Sequence, residues 1–301
     1  MILRISKYLL TFILVISYSQ QLLADETVTL KHNNINLNAN LKLADGKSLK
    51  DDIILMTHGT LAHGKMEIMA TLQNLFADNG ISSLSITLGL NQDNRKGFYD
   101  CATPHTHKHT DAIEEIDLWM NWLKKQGNNN VILLGYSRGG NQTAWYAAEH
   151  DSPMIKKIIL VAPLTWNIHE VKSKYKTTYN KEITPILNKA KALIKQGRDE
   201  VPLKHTDFIY CKDSTVSAGS FVSYYKDDRR MDTPFLINEL TRPTLVFTGT
   251  EDKVVKGLAE AMSYLSSKPN IQSHSIEGSD HFFRDLYADE IVEKSIEFIE
   301  E

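Results

Sequence analysis

The sequence predicts an α/β protein with a mostly parallel central sheet and helices on both faces of that sheet. Short, unbroken apolar runs recur along the chain, which is typical of strands buried on both faces. Stretches with apolar residues at helical spacing lie between these runs, and this alternation favours right-handed crossovers. With 301 residues, 42% of them hydrophobic and 24% charged, the chain can bury one large core.

The individual elements follow from these patterns in chain order. Residues 28–43 alternate with period two and are interrupted at Asn33 and Asn34, which predicts an opening hairpin. Continuous apolar runs predict buried strands at residues 53–57, 81–88, 131–135 and 155–161. Helical spacing predicts helices at residues 66–77, 109–125 and 141–149. Two more strands, at 244–248 and 272–276, and a closing helix at 282–299 complete the prediction.

The first 24 residues have the pattern of a secretory signal peptide. Arg4 and Lys7 precede an apolar stretch at residues 8–18 that is too short to cross a bilayer comfortably, and Ala24 is a suitable last residue before cleavage. We therefore expect export to the periplasm or the medium, with no stable membrane span after cleavage. An uncleaved membrane anchor is the alternative, because Leu22 is larger than signal peptidases prefer at that position.

Export affects the interpretation of the two cysteines, Cys101 and Cys211. In an oxidising compartment a lone pair of cysteines is more often bridged than free, so we predict a disulfide between them. The alternative is two buried, unpaired cysteines that behave as small hydrophobic residues.

The segment at residues 135–139 reads Gly-Tyr-Ser-Arg-Gly, directly after an apolar run and before a predicted helix. A G-x-S-x-G sequence at such a strand-to-helix turn is a nucleophile elbow, which exposes the serine hydroxyl above the sheet. Small residues at Gly135 and Gly139 let the strand and the helix approach each other. Ser137 is therefore the candidate nucleophile.

A serine hydroxyl needs a base to attack a carbonyl at neutral pH, and in elbow-type sites the acid and the histidine follow the serine in the chain. His281 lies in the loop before the closing helix and is the candidate base. Asp252 follows the penultimate strand and could accept a hydrogen bond from Nδ1 of His281. Glu251 is the alternative acid, whereas Asp280 is a poor candidate because it directly precedes the base.

The oxyanion formed during serine attack needs preorganised donors. One is the backbone amide of Arg138 at the start of a helix, and the other is expected to be the backbone amide of Thr60. Gly59 would let the chain turn the Thr60 amide inward, and His58 would support this loop. The alternative for this segment is an ordinary turn at the end of a strand.

Three histidines at alternate positions, His105, His107 and His109, could bind zinc or copper. A metal-dependent hydrolase is therefore a rival hypothesis. The segment lacks a defined second ligand cluster, so we predict neither a metal nor a cofactor. We expect this loop to border the acyl pocket, where a disulfide from Cys101 to Cys211 would fasten the insertion described next to the core.

After Pro163 the pattern becomes polar and partly helical up to about residue 240, which predicts a helical cap insertion where it would cover the catalytic face. The predicted organisation is a first core part at 25–163, the cap at 164–240 and a second core part at 241–301. Lysines make the cap locally basic, which is usually a sign of a solvated helix face. The aromatic side chains that either pack the cap or line a pocket are Tyr175, Tyr179, Tyr210, Phe221, Tyr224 and Tyr225.

Together these residues resemble the α/β-hydrolase family. The resemblance depends on His58-Gly59-Thr60, the elbow at residues 135–139, Asp252 and His281, and covers nearly all of the chain after residue 24 apart from the cap. It implies a mostly parallel, eight-stranded sheet and hydrolysis through an acyl-enzyme without a cofactor. Serine rather than aspartate at the elbow argues against the dehalogenase and epoxide-hydrolase branches.

Within this family, esters are the default substrates because an alkoxide departs more readily than an amine. Lipases, thioesterases, amidases and peptidases use the same triad and stay open. A non-catalytic binding protein on the same fold is the third class of function. We expect a small-molecule ester or other acyl compound as the partner, and no nucleic acid, because the net charge of −3 shows no basic excess.

Overall fold

The structure, a computed structural model, describes residues 26–301, and the predicted signal peptide at residues 1–24 lies outside the described residues. The strands are β1 (Glu26–His32), β2 (Ile35–Lys42), β3 (Ile53–Thr57), β4 (Ser82–Thr87), β5 (Val131–Tyr136), β6 (Ile155–Val161), β7 (Pro202–Phe208), β8 (Cys211–Ser217), β9 (Thr244–Gly249) and β10 (Ile271–Ile276). Eight of them form one sheet in the order β1-β2-β4-β3-β5-β6-β9-β10.

This sheet confirms the predicted fold class. Strand β2 pairs antiparallel with β1 and with β4, and every other pair in the sheet is parallel. All residues of β3, β4 and β5 are buried, as strands covered on both faces require. Strand β4 is not the continuous apolar run that the sequence analysis describes, because four of its six residues are serine or threonine. The carboxyl ends of the parallel strands meet at one edge, where loops can bring distant residues together.

Helices cover both faces of the sheet. They are α1 (Glu67–Asp78), α2 (Asp111–Lys125), α3 (Arg138–Glu149), α4 (Ile168–Tyr179), α5 (Ile183–Lys195), α6 (Ala218–Tyr225), α7 (Thr233–Ile237), α8 (Leu258–Leu265) and α9 (Leu286–Glu300). Helices α1 and α9 share one buried apolar cluster with the sheet, and α2, α3 and α8 share another. None of the helices within residues 26–301 is both long and apolar enough to span a bilayer.

Two helices begin three or more residues away from their predicted first residue, and the other differences are of one or two residues. Helix α3 begins at Arg138 rather than at residue 141, immediately after Ser137. Helix α9 begins at Leu286 rather than at residue 282, because Phe283 and Asp285 adopt positive φ values of 46° and 53°. A helix cannot pass through left-handed residues, so the segment around His281 stays a loop.

Between β6 and β9 the chain leaves the sheet and forms an insertion with an apolar cluster of its own, built from α4, α5, α6 and the hairpin β7–β8. The sequence predicted helices here and not this hairpin. Its exposed positions are polar or charged, among them Lys204, Lys212 and Asp213, and its register shifts twice. Phe208 and Val216 pack into the cluster, so tertiary contacts rather than local pattern stabilise the hairpin.

The last part of the insertion packs differently. A short 3₁₀ helix (Arg229–Met231) and α7 belong to the large apolar cluster of the main core through Met231, Leu236 and Ile237. Helix α7 also contacts α3, the helix that follows the nucleophile elbow. The predicted cap at residues 164–240 thus divides into residues 164–228, which have an apolar cluster of their own, and residues 229–240, which pack on the main core. From here on, the cap means residues 164–228.

The loop between β4 and α2 connects the core to the cap. A disulfide joins Cys101 in this loop to Cys211 in β8, across 110 residues of sequence. The backbone of His105 also donates to the carbonyl of Thr215 (2.8 Å) and accepts from the amide of Ser217 (2.9 Å). The predicted disulfide is thus present, and it fastens the cap to the core.

We expect a double variant, Cys101→Ser with Cys211→Ser, to lower the free energy of unfolding by roughly 2–4 kcal/mol, because a disulfide that closes a long loop restricts the unfolded chain. Urea unfolding of both proteins measures this difference. Wild-type protein unfolded in reductant is the control and should match the variant. Equal midpoints for the oxidised protein and the variant would show that the disulfide does not stabilise the fold.

Candidate active site

Ser137 lies at the turn between β5 and α3 in a strained conformation, with φ 56° and ψ −121°. Neighbouring backbone segments come so close to Gly135 and Gly139 that neither position has room for a side chain. A Cβ atom on Gly135 would lie 2.6 Å from the Cα of Gly140, and one on Gly139 would collide with the carbonyl oxygens of Thr57 and His58. The turn therefore has the geometry of a nucleophile elbow.

Three side chains from three different loops form one hydrogen-bond chain. Ser137 Oγ lies 3.0 Å from His281 Nε2, and His281 Nδ1 lies 2.7 Å from Asp252 Oδ2. Because the carboxylate accepts from Nδ1–H, Nε2 is left as the acceptor for the serine hydroxyl. The side chains of His281 and Asp252 are only 7% and 5% exposed, so water competes little for these bonds.

The carboxylate of Asp252 is held in the ionised form. Burial alone would raise the pKa of Asp252, but hydrogen bonds from His281 and from the backbone amides of Val254 and Val255 keep it below the ordinary value. The two alternative acids point elsewhere. Glu251 is exposed, and Asp280 accepts from the amide of Phe282.

The sequence analysis missed one residue of this group, Tyr136. Its hydroxyl donates to the backbone carbonyl of His281 over 2.9 Å, 145 positions further along the chain. Burial raises the pKa of Tyr136 above its usual range, so the hydroxyl remains a donor at any physiological pH. This bond fixes the loop from which the imidazole reaches Ser137, which makes Tyr136 a positioning residue.

The loop after β3 lies directly beside the nucleophile. A Cβ atom on Gly59 would be 3.2 Å from the Cβ of Ser137, so any side chain at this position would crowd the nucleophile. His58 accepts from the amide of Leu88 at Nε2 (3.0 Å) and therefore donates to the carbonyl of Gly59 from Nδ1 (2.8 Å). Burial, with the nearby charge of Arg95, holds the pKa of His58 well below its ordinary value.

Fixing the Gly59 carbonyl also orients the next amide. In a trans peptide the carbonyl oxygen and the amide hydrogen point in opposite directions, so the Thr60 N–H points away from His58. Within the described residues, the backbone amides of Thr60 and Arg138 donate no hydrogen bond. Both amides are therefore available to an oxyanion beside Ser137.

Arg95 holds the surrounding loops and was not singled out in the sequence. Its guanidinium donates to the carbonyl oxygens of Leu88 (2.7 Å), Ala62 (2.6 Å) and Gly97 (2.6 Å), and lies 3.2 Å from His58 Nε2. Burial lowers the pKa of Arg95 to about 10, which leaves it charged at neutral pH. These contacts depend on the folded loops and leave no signature in the local sequence.

The three histidines of the candidate metal site are buried at the junction of core and cap. His107 Nδ1 lies 2.8 Å from the hydroxyl of Tyr224, His109 Nε2 lies 2.9 Å from Asn141 Oδ1, and His105 Nδ1 lies 3.2 Å from His107 Nε2. Within residues 26–301, no three histidine, cysteine, aspartate or glutamate side chains are arranged to hold a metal ion. The geometry thus gives these histidines packing and hydrogen-bonding contacts.

A cavity of about 610 Å³ extends from Ser137 to the cap. Thr60, Ser137 and Arg138 line its inner end. The rest is lined by α4 and the residues before it, by the cap hairpin, by the end of α6 and by residues 253–256 after β9. The predicted aromatic residues divide into two groups. Five tyrosines, Tyr175, Tyr179, Tyr210, Tyr224 and Tyr225, line this cavity, whereas Phe221 is fully buried within the cap.

Comparison with known proteins gives the family. Residues 51–283 match the model of the family described as serine aminopeptidase, S33, which is a family of α/β-hydrolases. The chain belongs to this S33 family. The match begins before β3 and ends just after His281, so it includes the elbow and both other members of the hydrogen-bond chain.

One curated protein matches a short part of the sequence, and solved structures share the fold. The protein named "Putative esterase/lipase 3" from Mycoplasma pneumoniae is 33% identical over 76 residues, which are 24% of this chain and 28% of that protein. The structure of Est1E from Butyrivibrio proteoclasticus with ferulic acid bound has a TM-score of 0.66 at 16% identity, covering 91% of this chain and 100% of that chain. The Pyrococcus furiosus esterase Pf2001 has a TM-score of 0.60 at 14% identity, covering 92% and 90%.

Proposed function

We propose that this protein is a serine hydrolase that cleaves carboxylic esters with Ser137 as nucleophile, His281 as base and Asp252 as the orienting acid. The observation that carries the proposal is the hydrogen-bond chain from Ser137 Oγ to His281 (3.0 Å) and on to Asp252 (2.7 Å), which begins in a cavity of about 610 Å³. The esterases among the structural neighbours and the esterase/lipase relative support the same chemistry.

The reaction follows from this geometry. His281 Nε2 takes the proton of Ser137 Oγ as the oxygen attacks the ester carbonyl carbon, and Asp252 stabilises the imidazolium. The amides of Thr60 and Arg138 donate to the oxyanion of the tetrahedral intermediate. The imidazolium then protonates the departing alkoxide, which leaves an acyl group on Ser137. In the second half, His281 takes a proton from water as the water oxygen attacks the acyl carbon. The bond from this carbon to Ser137 Oγ then breaks, the imidazolium returns its proton to Oγ, and the carboxylic acid departs.

The charge of the cavity favours an ester over a peptide with a free amino terminus. Five basic side chains and one acidic side chain, Glu170, line it. A cationic amino group would meet like charges there, and like-charge juxtaposition costs binding energy. Alkoxides also need less help to depart than amines, so an ester is the substrate that this site would cleave most readily.

We also propose that the mature protein is exported, after cleavage that follows Ala24. The disulfide between Cys101 and Cys211 supports this, because structural disulfides persist in oxidising compartments. Sequencing the amino terminus of the protein secreted by its own host or a bacterial host tests the proposal. A mature chain beginning at Asp25 is expected, and an intact amino terminus in the membrane fraction would support an anchor instead.

The experiment that tests the catalytic proposal is labelling of the purified protein with a fluorophosphonate probe, which reacts only with activated serines. We expect labelling of the wild type and none of Ser137→Ala or His281→Ala. The same samples are assayed for ester hydrolysis with and without a chelator. Folded wild type that does not react would favour a binding protein, and chelator-sensitive hydrolysis that survives Ser137→Ala would favour a metal-dependent hydrolase.

A further inference from the structure

We propose that the substrate carries a carboxylate and that the side chain of Arg138 binds it, which makes Arg138 the residue that determines specificity. This inference rests on the ester hydrolysis proposed at Ser137. It concerns the guanidinium of Arg138 alone, since the backbone amide of the same residue serves the oxyanion.

The guanidinium of Arg138 is held at the inner end of the cavity, next to the nucleophile. Its Nε donates to Thr60 Oγ1 over 3.0 Å, and its Nη1 lies 3.3 Å from His109 Nδ1. The guanidinium also lies over the ring of Tyr224, 5.2 Å from the ring centroid. These three contacts come from three different segments and fix the plane of the guanidinium before a ligand binds. Because the side chain is already ordered, binding an anion costs less conformational entropy.

The contact with His109 is oriented by a further hydrogen-bond network. The amide nitrogen of Asn141 donates to the carbonyl of Arg230 and to Thr233 Oγ1, so its Oδ1 must accept from His109 Nε2–H. His109 Nδ1 then has no proton and can accept a hydrogen bond from Nη1 of Arg138. The neutral imidazole thus orients the cation without neutralising it.

The charge of Arg138 has no carboxylate partner. No acidic side chain within the described residues 26–301 lies within ion-pair distance of its nitrogens, and its Nη2 has no hydrogen-bond partner there. Some arginines of the described chain have acidic partners, since Arg230 contacts Asp228 and Glu149, and Arg242 contacts Asp151. Arg95 has none, but three backbone carbonyl oxygens accept hydrogen bonds from it, whereas Arg138 has no such set of acceptors. A half-buried cation is costly unless an anion or several acceptors satisfy it. A substrate carboxylate would supply the missing partner.

The rest of the cavity is also mainly basic. Lys174, Lys212, Lys253 and Lys256 line it, and none of them forms an ion pair within the part of the chain that is described. Glu170 is the one acidic side chain in this lining, so the cavity is locally positive although the whole chain has a net charge of −3. Such a local excess of positive charge attracts anionic ligands over distances of about a Debye length, roughly 8–10 Å at moderate ionic strength.

The guanidinium of Arg138 is suited to a carboxylate, because both groups are planar and can form two parallel hydrogen bonds with each other. Thr60 and His109 engage Nε and one proton of Nη1, so three of the five guanidinium protons, two on Nη2 and one on Nη1, remain for a ligand. The lysines, as flexible point charges further along the cavity, would steer the ligand rather than fix its orientation.

The test uses pairs of esters that differ only in charge. Monoethyl esters of succinic, glutaric and adipic acid place a carboxylate on the acyl side, and the ethyl esters with an isopropyl group in place of that carboxylate are their neutral isosteres. The acetyl ester of glycolic acid, compared with isobutyl acetate, places the carboxylate on the alcohol side. Hydrolysis is followed by pH-stat titration. We expect kcat/KM for the charged member of at least one pair to be about 10–100 times higher than for its isostere.

The variants separate carboxylate binding from other roles of Arg138. Arg138→Gln keeps the backbone amide and should abolish the charge preference, whereas Arg138→Lys should keep part of it. If Arg138 acts only by positioning Thr60, both members of every pair will lose activity equally, which overturns the proposal. Lys189→Gln is the matched control, because Lys189 is an exposed lysine of α5 outside the cavity and its loss should leave the preference unchanged.

Fluorophosphonate labelling of each variant keeps this test separate from that of the proposed function. Arg138→Gln that still labels but has lost the preference supports the proposal. A labelled wild type that prefers the neutral esters overturns the carboxylate assignment alone, and so does a wild type that prefers phosphate-bearing esters over carboxylate-bearing ones. Absence of labelling in the folded wild type overturns the proposed function itself.

Discussion

Asp252→Asn is expected to lower kcat for ester hydrolysis by roughly 10⁴-fold, whereas Glu251→Gln should change it by less than about twofold. Asp252 accepts a hydrogen bond from His281 Nδ1 over 2.7 Å, and the exposed Glu251 makes no contact with the imidazole. An asparagine amide in the same place would donate to Nδ1 and move the proton to Nε2. The imidazole could then no longer accept the proton of Ser137.

We expect Asp252→Asn to keep the wild-type fold, so that a lower kcat reports the loss of the carboxylate and not unfolding. Asp252 Oδ1 accepts from the amides of Val254 and Val255, and an asparagine oxygen can replace it. Circular dichroism and thermal unfolding of both variants check that the loop is intact. Equal losses for Asp252→Asn and Glu251→Gln would contradict the assignment of the acid, and a loss only for Glu251→Gln would transfer the role to that residue.

The sequence predicts those parts of the site that have a local signature. The elbow around Ser137 combines a motif with a strand before it and a helix after it, and Asp252 and His281 each follow a predicted strand of the same sheet. Because the carboxyl ends of parallel strands meet at one edge, chain order alone brings these residues near each other. The structure adds the distances and shows which of two neighbouring carboxylates faces the histidine.

Other parts of the site depend on contacts between distant segments and have no local signature. Tyr136 contacts the backbone of His281 across 145 positions, and Arg95 links loops through carbonyl oxygens, which any residue provides. The hairpin β7–β8 is stabilised by packing on the cap cluster while its exposed face is polar. Tertiary contacts override local propensity in such segments.

The contacts of the histidine cluster could not be predicted from its sequence pattern. Alternate positions in an extended segment share one face, so His105, His107 and His109 look like a set of metal ligands in the sequence. In the structure His107 contacts Tyr224, His109 contacts Asn141, and Nδ1 of His105 lies 3.2 Å from Nε2 of His107. The His105 ring stacks on Tyr99, with 4.7 Å between the centroids. These side chains fill the junction between core and cap.

Burial of this cluster should make the protein sensitive to acid. Burial lowers the pKa of His105 to about 4 and that of His109 to about 3, and it also lowers the pKa of His107 well below its ordinary value. From pH 6.5 downwards the unfolded chain therefore binds protons that the folded chain does not. The free energy of unfolding should fall as the pH decreases, by about 1.4 kcal/mol per pH unit for each of these histidines.

Urea unfolding between pH 7.5 and 4.5 measures this slope, which should approach about 4 kcal/mol per pH unit for the three histidines together. His105→Phe removes one of these groups and should reduce the measured slope by about 1.4 kcal/mol per pH unit. Nε2 of His105 has no hydrogen-bond partner in the described part of the chain, so the substitution gives up only the contact between Nδ1 of His105 and Nε2 of His107. His205→Gln is the control, because His205 is exposed in the cap hairpin and its replacement should leave the slope unchanged. If His105→Phe leaves the pH dependence of the unfolding free energy unchanged, His105 takes up its proton in the folded state as readily as in the unfolded state. The acid sensitivity would then not originate at the junction between core and cap.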